Sequence, residues 1–140
     1  MANLVSQELR TALLAAYFSA GAAPTNLYLH LFKDEANIVE ITTMADIAAQ
    51  VQTGTGYAVK TIAPADWTVE PGTGGIRVRL ADQTWTTGAD NWNTLRWAVL
   101  SNSASLAGTI LMARDYGTGK TVTGVGANVT VDDLFYQIND

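Results

Sequence analysis

The residues whose types could do chemistry are few, and each set is incomplete. "RDYGTGKT" (114–121) ends in Gly119, Lys120 and Thr121, as a phosphate-binding loop does. That loop needs a further glycine five positions before its second one, because backbone amides and the lysine together hold the phosphates. Here the first glycine position holds Arg114, and "VTGVGANVTV" follows, which reads as strand and turn. The helix N-terminus that completes an anion cradle is missing. The expected structure is a hairpin in which Gly117 and Gly119 take positive φ. His30 is the only histidine and there is no cysteine, so a metal site would have only carboxylates to draw on. A nucleophile–base–orienter set built on His30 stays open at this level. Asp132 and Asp133 are adjacent, so on a strand they point to opposite faces and do not converge for acid–base work. Asp34 with Glu35, and Asp66 with Glu70, read as solvated loop carboxylates. Asn128-Val129-Thr130 is a formal glycosylation sequon beside an expected strand. No residue set specifies a reaction. The expectation is a protein that is not an enzyme and uses no cofactor or metal.

Aromatic residues offer a different chemistry. "WTTGADNWNTLRWAVLSN" (85–102) places Trp85, Trp92 and Trp97 in one window. Stacked indoles beside carboxylates bind sugars, and the same residues equally build a sheet core. Trp97 lies within an alternating apolar run, which predicts burial. Trp85 alternates with threonines and reads as core or rim. Trp92 follows the turn-like "TGADN", so it is expected to be exposed, with Asp90 as its only candidate sugar-binding carboxylate. Trp67 in "PADWT" shares that ambiguity. Trp67, Trp92, Phe135 and Tyr136 form the candidate interaction surface.

These residues need a frame. The chain has 140 residues, 48% of them hydrophobic, which suits one domain over 1–140. With no cysteine, disulfides are excluded. The net charge of −5 and the lack of a basic stripe argue against nucleic-acid binding. Only 15% of residues are charged, a hint that partners cover part of the surface. "TALLAAYFSAGAA" (11–23) lacks a basic leader and is too short to span a membrane, which takes about 20 apolar residues. No membrane association is expected.

The apolar spacing predicts an N-terminal helix over 4–20. Leu4 and Val5 start its stripe, Leu9, Leu13, Ala16 and Tyr17 continue it, and Asn3 or Ser6 caps it. Gly21 and Pro24 end it. A β-rich body follows over 25–140. "NLYLHLF" (26–32) carries bulk on both faces and predicts a strand buried on both sides. "TMADIAAQV" (43–51) predicts a short helix with Thr43 and Asp46 as a capping box. Further strands are expected at 57–62, 75–82, 83–87, 93–102, 108–116, 120–125 and 129–138. Several short strands at even spacing indicate a β-sandwich, jelly-roll-like or immunoglobulin-like.

The order of motifs resembles a group of small tailed-bacteriophage virion proteins of tail-fibre or tail-associated type. A helix ending near Gly and Pro precedes "TNLYLHLF" (25–32). A variable acidic loop follows, then "GTGYAVKTI" (54–62), a Trp-led strand in "WNTLRWAVLSNSASLAGTILM" (92–112), and "KTVTGVGANVTVDDLFYQI" (120–138). "MADIAAQV" and Ala107-Gly108 depart from that pattern, and with them the position on the virion. The resemblance implies a virion-located structural component that contacts other virion proteins. A capsid decoration or cement protein and a host-glycan binding module are the alternatives. A homo-oligomer is expected, a trimer by preference, because sandwich edges must be paired or blunted. Arg77 and Arg79 on the outer face of "GIRVRLAD" read as edge protection. "VTVDDLFYQI" is apolar on both sides and reads as a strand that pairs centrally or meets another subunit.

Overall fold

The computed structural model describes residues 3–5, 26–72 and 75–139. Among the described residues it is mainly β, with antiparallel sheets stacked as a sandwich and one short helix. The strands are β1 (Asn3–Val5), β2 (Leu27–Lys33), β3 (Lys60–Ile62), β4 (Trp67–Gly72), β5 (Gly75–Leu80), β6 (Gln83–Thr86), β7 (Leu95–Ser101), β8 (Ile110–Lys120), β9 (Asn128–Val131) and β10 (Phe135–Asn139). The helix α1 (Met44–Ile47) runs into a 3-10 turn at Ala48–Gln50. One sheet has the order β1-β8-β7-β2-β3, a second β10-β5-β4, and a third pairs β6 with β9.

Leu4 and Val5 pair with Ala113 and Met112 of β8, so they belong to a strand and do not start a helix. A sheet-edge ladder satisfies their backbone groups. The rest of the expected helix, 6–20, lies outside the described residues.

The five-stranded sheet has an apolar layer on each face. Leu29 and Leu31 of β2, Ala98 and Leu100 of β7, and Met112 of β8 face the two smaller sheets. There they meet Leu80, Trp85, Val131 and Leu134. Phe32, Trp97, Val99 and Ala113 face the other way, onto Ala36, Ile38, Met44 and Ile47 of the 34–50 segment. Bulk on both faces of 26–32 and 93–102 therefore means what it means in any central strand. Strict alternation puts Leu95 on the Trp97 face, yet Leu95 joins the opposite layer. A register shift at Arg96 flips it: Trp97 pairs with Asp115 while Leu95 pairs with Lys120.

That shift also disposes of the phosphate-loop reading. The "YGTG" stretch (116–119) is no hairpin. It is extra chain within β8, between the residues that pair with Trp97 and Leu95. Gly117 (φ 86°) and Gly119 (φ 73°) take the left-handed conformation that lets a strand bulge so far. Arg96 and Asp115 clasp across the irregularity through two bonds, Nε to Oδ1 at 3.1 Å and a terminal nitrogen to Oδ2 at 3.0 Å. Asp115 Oδ1 also accepts the Gly117 amide. The Arg96 bond, above all, holds the Asp115 carboxyl below the usual carboxylate range.

Four other expectations change. "YAVKTI" is a strand only from Lys60, because Tyr57 and Ala58 turn their polar groups to other partners. Residues 121–127 are loop beyond the end of β8. The run 129–138 breaks into β9 and β10 at Asp132–Leu134, where Asp133 has φ 50° and Leu134 enters the core. The partner ribbon turns at the same corner, between β5 and β6, and the Leu80 amide donates to Leu134 O at 2.9 Å. Asp132 and Asp133 therefore sit at a corner and not along a strand. Finally, β5 is the centre of its sheet and β10 an end of it. Arg77 and Arg79 thus guard no edge. Arg77 bonds Glu70 across the sheet at 2.6 Å and lies over the Phe135 ring. Two edges are blunted by other means: β3 is three residues long, and β4 contains Pro71.

Trp97 tests the layer on the helix side. Its ring is buried, and its Nε1 donates to Ala36 O at 2.8 Å. Trp97→Ala is expected to cost about 3–5 kcal/mol in urea denaturation. Trp97→Phe keeps most of the apolar burial but orphans the Ala36 carbonyl, so a smaller loss of about 1–3 kcal/mol is expected.

Candidate interaction surface

The tryptophan window resolves into a set of staples. All three rings belong to buried side chains, and each indole N–H donates to the carbonyl of a loop residue. Trp97 reaches Ala36, Trp85 reaches Ala58 at 2.7 Å, and Trp92 reaches Thr55 at 2.7 Å. A buried indole must find such an acceptor, and a loop carbonyl next to a core must find such a donor.

Trp92 is 8% exposed, against the expectation of an exposed ring. Its turn-like preceding sequence is real, but the chain at 52–56 folds over it. A Cβ on Gly54 would stand 2.3 Å from the ring, so only glycine admits this approach. Tyr57 meets Trp92 edge-on at 6.0 Å and lies near-parallel to Trp85 at 6.4 Å. Lys60 Nζ sits 5.0 Å from the Trp85 ring centre. The Tyr57 hydroxyl accepts the Leu31 amide, which ties this aromatic group to β2.

Gln52 holds the loop in place and carried no sequence signal. It is 1% exposed, and its Oε1 gathers the amides of Thr53, Gly54 and Asn93 and the Asn93 side-chain nitrogen. Its Nε2 donates to Asn93 O. A glutamine before "TGTG" looks like any loop residue until tertiary structure buries it.

The expected interaction residues do not form one surface. Trp67 and Tyr136 are partly buried and pack on the same core layer as Trp92. Phe135 is half-buried under Arg77. Three of the four carboxylates read as solvating have fixed partners, and so has Asp90. Asp66 Oδ2 accepts the Ala63 amide, Glu70 pairs with Arg77, Asp34 Oδ2 accepts the Gly119 amide, and Asp90 Oδ1 accepts the Gly124 amide. Asp90 is therefore bound to the 121–127 loop and does not stand beside an open indole face. Asn128 and Thr130 of the sequon are exposed, and both side chains hydrogen-bond to threonines of β6.

His30 is fully buried. Its Nε2 lies 3.0 Å from Ser101 Oγ and 3.1 Å from Ser103 O. Ser101 Oγ donates to Ser103 O at 2.7 Å. A carbonyl only accepts, so Nε2 carries the proton and faces the serine as a donor. It therefore cannot take the Ser101 proton. Nδ1 is left buried without a hydrogen-bond partner. The pair is a structural lock between β2 and the end of β7. Burial lowers the His30 pKa, and the Ser103 carbonyl offsets this only in part. The surface features that sequence reading passed over are aliphatic: Ile41, Val69 and Val125 are 87%, 69% and 74% exposed.

Trp92→Ala is expected to lose about 3–5 kcal/mol, as much as a core tryptophan, and iodide should quench Trp92 poorly in a single-tryptophan variant. Gly54→Ala should cost about 1–3 kcal/mol by overpacking against the ring. For His30, the unfolded state binds the proton more readily than the native state. Its contribution to stability is full above the unfolded pKa of about 6.5 and is lost as pH falls below that value. Urea midpoints should fall between about pH 6.5 and 5, and His30→Gln should flatten that slope.

No protein-family model matches the chain, and no curated protein or solved structure matches it.

Proposed function

We propose that the protein is a structural, non-enzymatic component of a bacteriophage virion, tail- or fibre-associated, acting through contacts with other virion proteins. The observation that carries this reading is the placing of its aliphatic side chains. Ile41 and Val125 stand at turn tips, and Val69 stands on the outermost strand of its sheet. Turn tips ordinarily carry glycine, asparagine or aspartate. We read exposed aliphatics at such positions as points of contact with neighbours. The motif order "TNLYLHLF", "GTGYAVKTI" and "WNTLRWAVLSN" supplies the virion setting by resemblance. A closed symmetric homo-oligomer, a trimer by preference, follows from the way identical virion subunits are arranged.

A glycan-binding module needs an open aromatic face, and the Trp92 ring is enclosed by Gly54 and Tyr57. The contact reading is favoured on that ground. Particle reconstruction with mass spectrometry of purified virions is the test. Several symmetry-related copies at the tail, with Ile41, Val69 or Val125 inside interfaces burying at least about 1,000 Å², are expected. Copies on the capsid shell would move the protein to the decoration class. Absence from purified particles would end the virion reading.

A further inference from the structure

We propose that the groove between the 34–43 loop and α1 docks a partner-protein segment that carries a lysine or arginine beside an aliphatic side chain. This deepens the contact reading above by giving one contact a chemistry.

The groove has a volume of about 410 Å³ and is lined by Glu35, Val39, Ile41, Asp46 and Ile47 among others. That is near the small end of ligand-sized concavities, which run from about 300 to 1,000 Å³. It admits one or two side chains and no folded domain. Its wall breaks a local rule. The Thr42 amide donates to Val39 O at 3.0 Å and the Val39 amide to Thr42 Oγ1 at 2.9 Å, which closes a tight turn with Glu40 and Ile41 at its tip. A β-branched aliphatic residue is poorly suited to a turn tip. Ile41 nonetheless stands there 87% exposed. A local choice that opposes its own structure without internal gain marks a functional position.

Charge selects the occupant. Of the acidic residues in the 34–50 segment, Asp34 faces Arg96, and Glu35 and Asp46 line the groove itself. The groove lining includes no basic side chain. Such a field attracts a cationic segment and repels an acidic one. It also repels an anionic lipid surface. Val39 and Ile41 in turn require an aliphatic neighbour to leave water. The groove is also held in shape before anything binds. Trp97 pins the Ala36 carbonyl from below, Ile38, Met44 and Ile47 anchor in the core, and Asp46 Oδ2 accepts both the amide and the hydroxyl of Thr43. Little ordering is then left to oppose docking.

The test titrates full-length, isotopically labelled protein with a capped leucine–arginine–leucine tripeptide. Two controls replace the arginine by glutamate or both leucines by glycine. Saturable shifts confined to Glu35, Val39, Ile41, Asp46 and Ile47 are expected, weaker by at least about fivefold with either control and weakened by salt. Ile41→Ser and Glu35→Gln, both at exposed positions, should each weaken binding similarly while leaving Tm unchanged. No saturable shift, shifts centred elsewhere, or an equal response to the glutamate tripeptide would overturn the proposal. The titration uses no particle, so its failure is separate from absence of the protein from virions.

Discussion

A buried indole must have an acceptor for its N–H, and in this protein that requirement organises the loops. Trp85, Trp92 and Trp97 sit on or beside the sheets, and each donates to a carbonyl in the segment between Ala36 and Ala58. An unpaired buried polar group costs about 1–3 kcal/mol, comparable with a fair share of a small domain's stability. Three such bonds therefore select one arrangement of a segment whose only regular structure is one helical turn and its 3-10 extension. Gln52 adds a second set of bonds at the same place, joining the 52–54 backbone to Asn93. The aromatic rings supply apolar area, and their N–H groups set where the loops lie.

This arrangement divides the side chains by task. The tryptophans, with Phe32, Tyr57, Tyr116 and Tyr136, face inward or cover the core margins, where they close both apolar layers of the five-stranded sheet. Aliphatic residues are left to present apolar surface outward at Ile41, Val69 and Val125. Among the described residues, the exposed large apolar side chains are aliphatic and none is aromatic. The acidic loop 34–43 belongs to both halves of the division. Its inner residues Ala36 and Ile38 are tied to the Trp97 layer, and its outer residues Val39 and Ile41 face solvent.

His30 and Asp115 show how polar residues enter the same framework. His30 joins β2 to the end of β7 through Ser101 and Ser103, at the cost of a buried ring nitrogen without a partner. Asp115 joins β8 to Arg96 and fastens the irregular register beside it. Both groups are held in one charge state by their surroundings, the histidine neutral and the aspartate ionised. His30 is closed off from solvent, and Asp115 is held by Arg96 and the Gly117 amide.

Periodicity alone determined the mainly β class, the central positions of 26–32 and 93–102, the capped helix at Thr43, and the burial of Trp97. These follow from side-chain alternation and local capping, which are written in neighbouring residues. Tertiary structure decided the rest. Whether Trp92 is exposed depends on a loop 37 positions away in sequence folding over it, and only Gly54 lets that loop come close. Whether 129–138 is one strand or two depends on a corner shared with β5 and β6. Leu95 changes face because β8 holds extra residues opposite Arg96. Gln52, a loop glutamine in sequence, becomes a buried hub only when Asn93 arrives beside it. In each case the deciding contact joins residues far apart in the chain. Such contacts are set by which apolar and polar groups must leave water together, a property of the packed molecule that no local pattern carries.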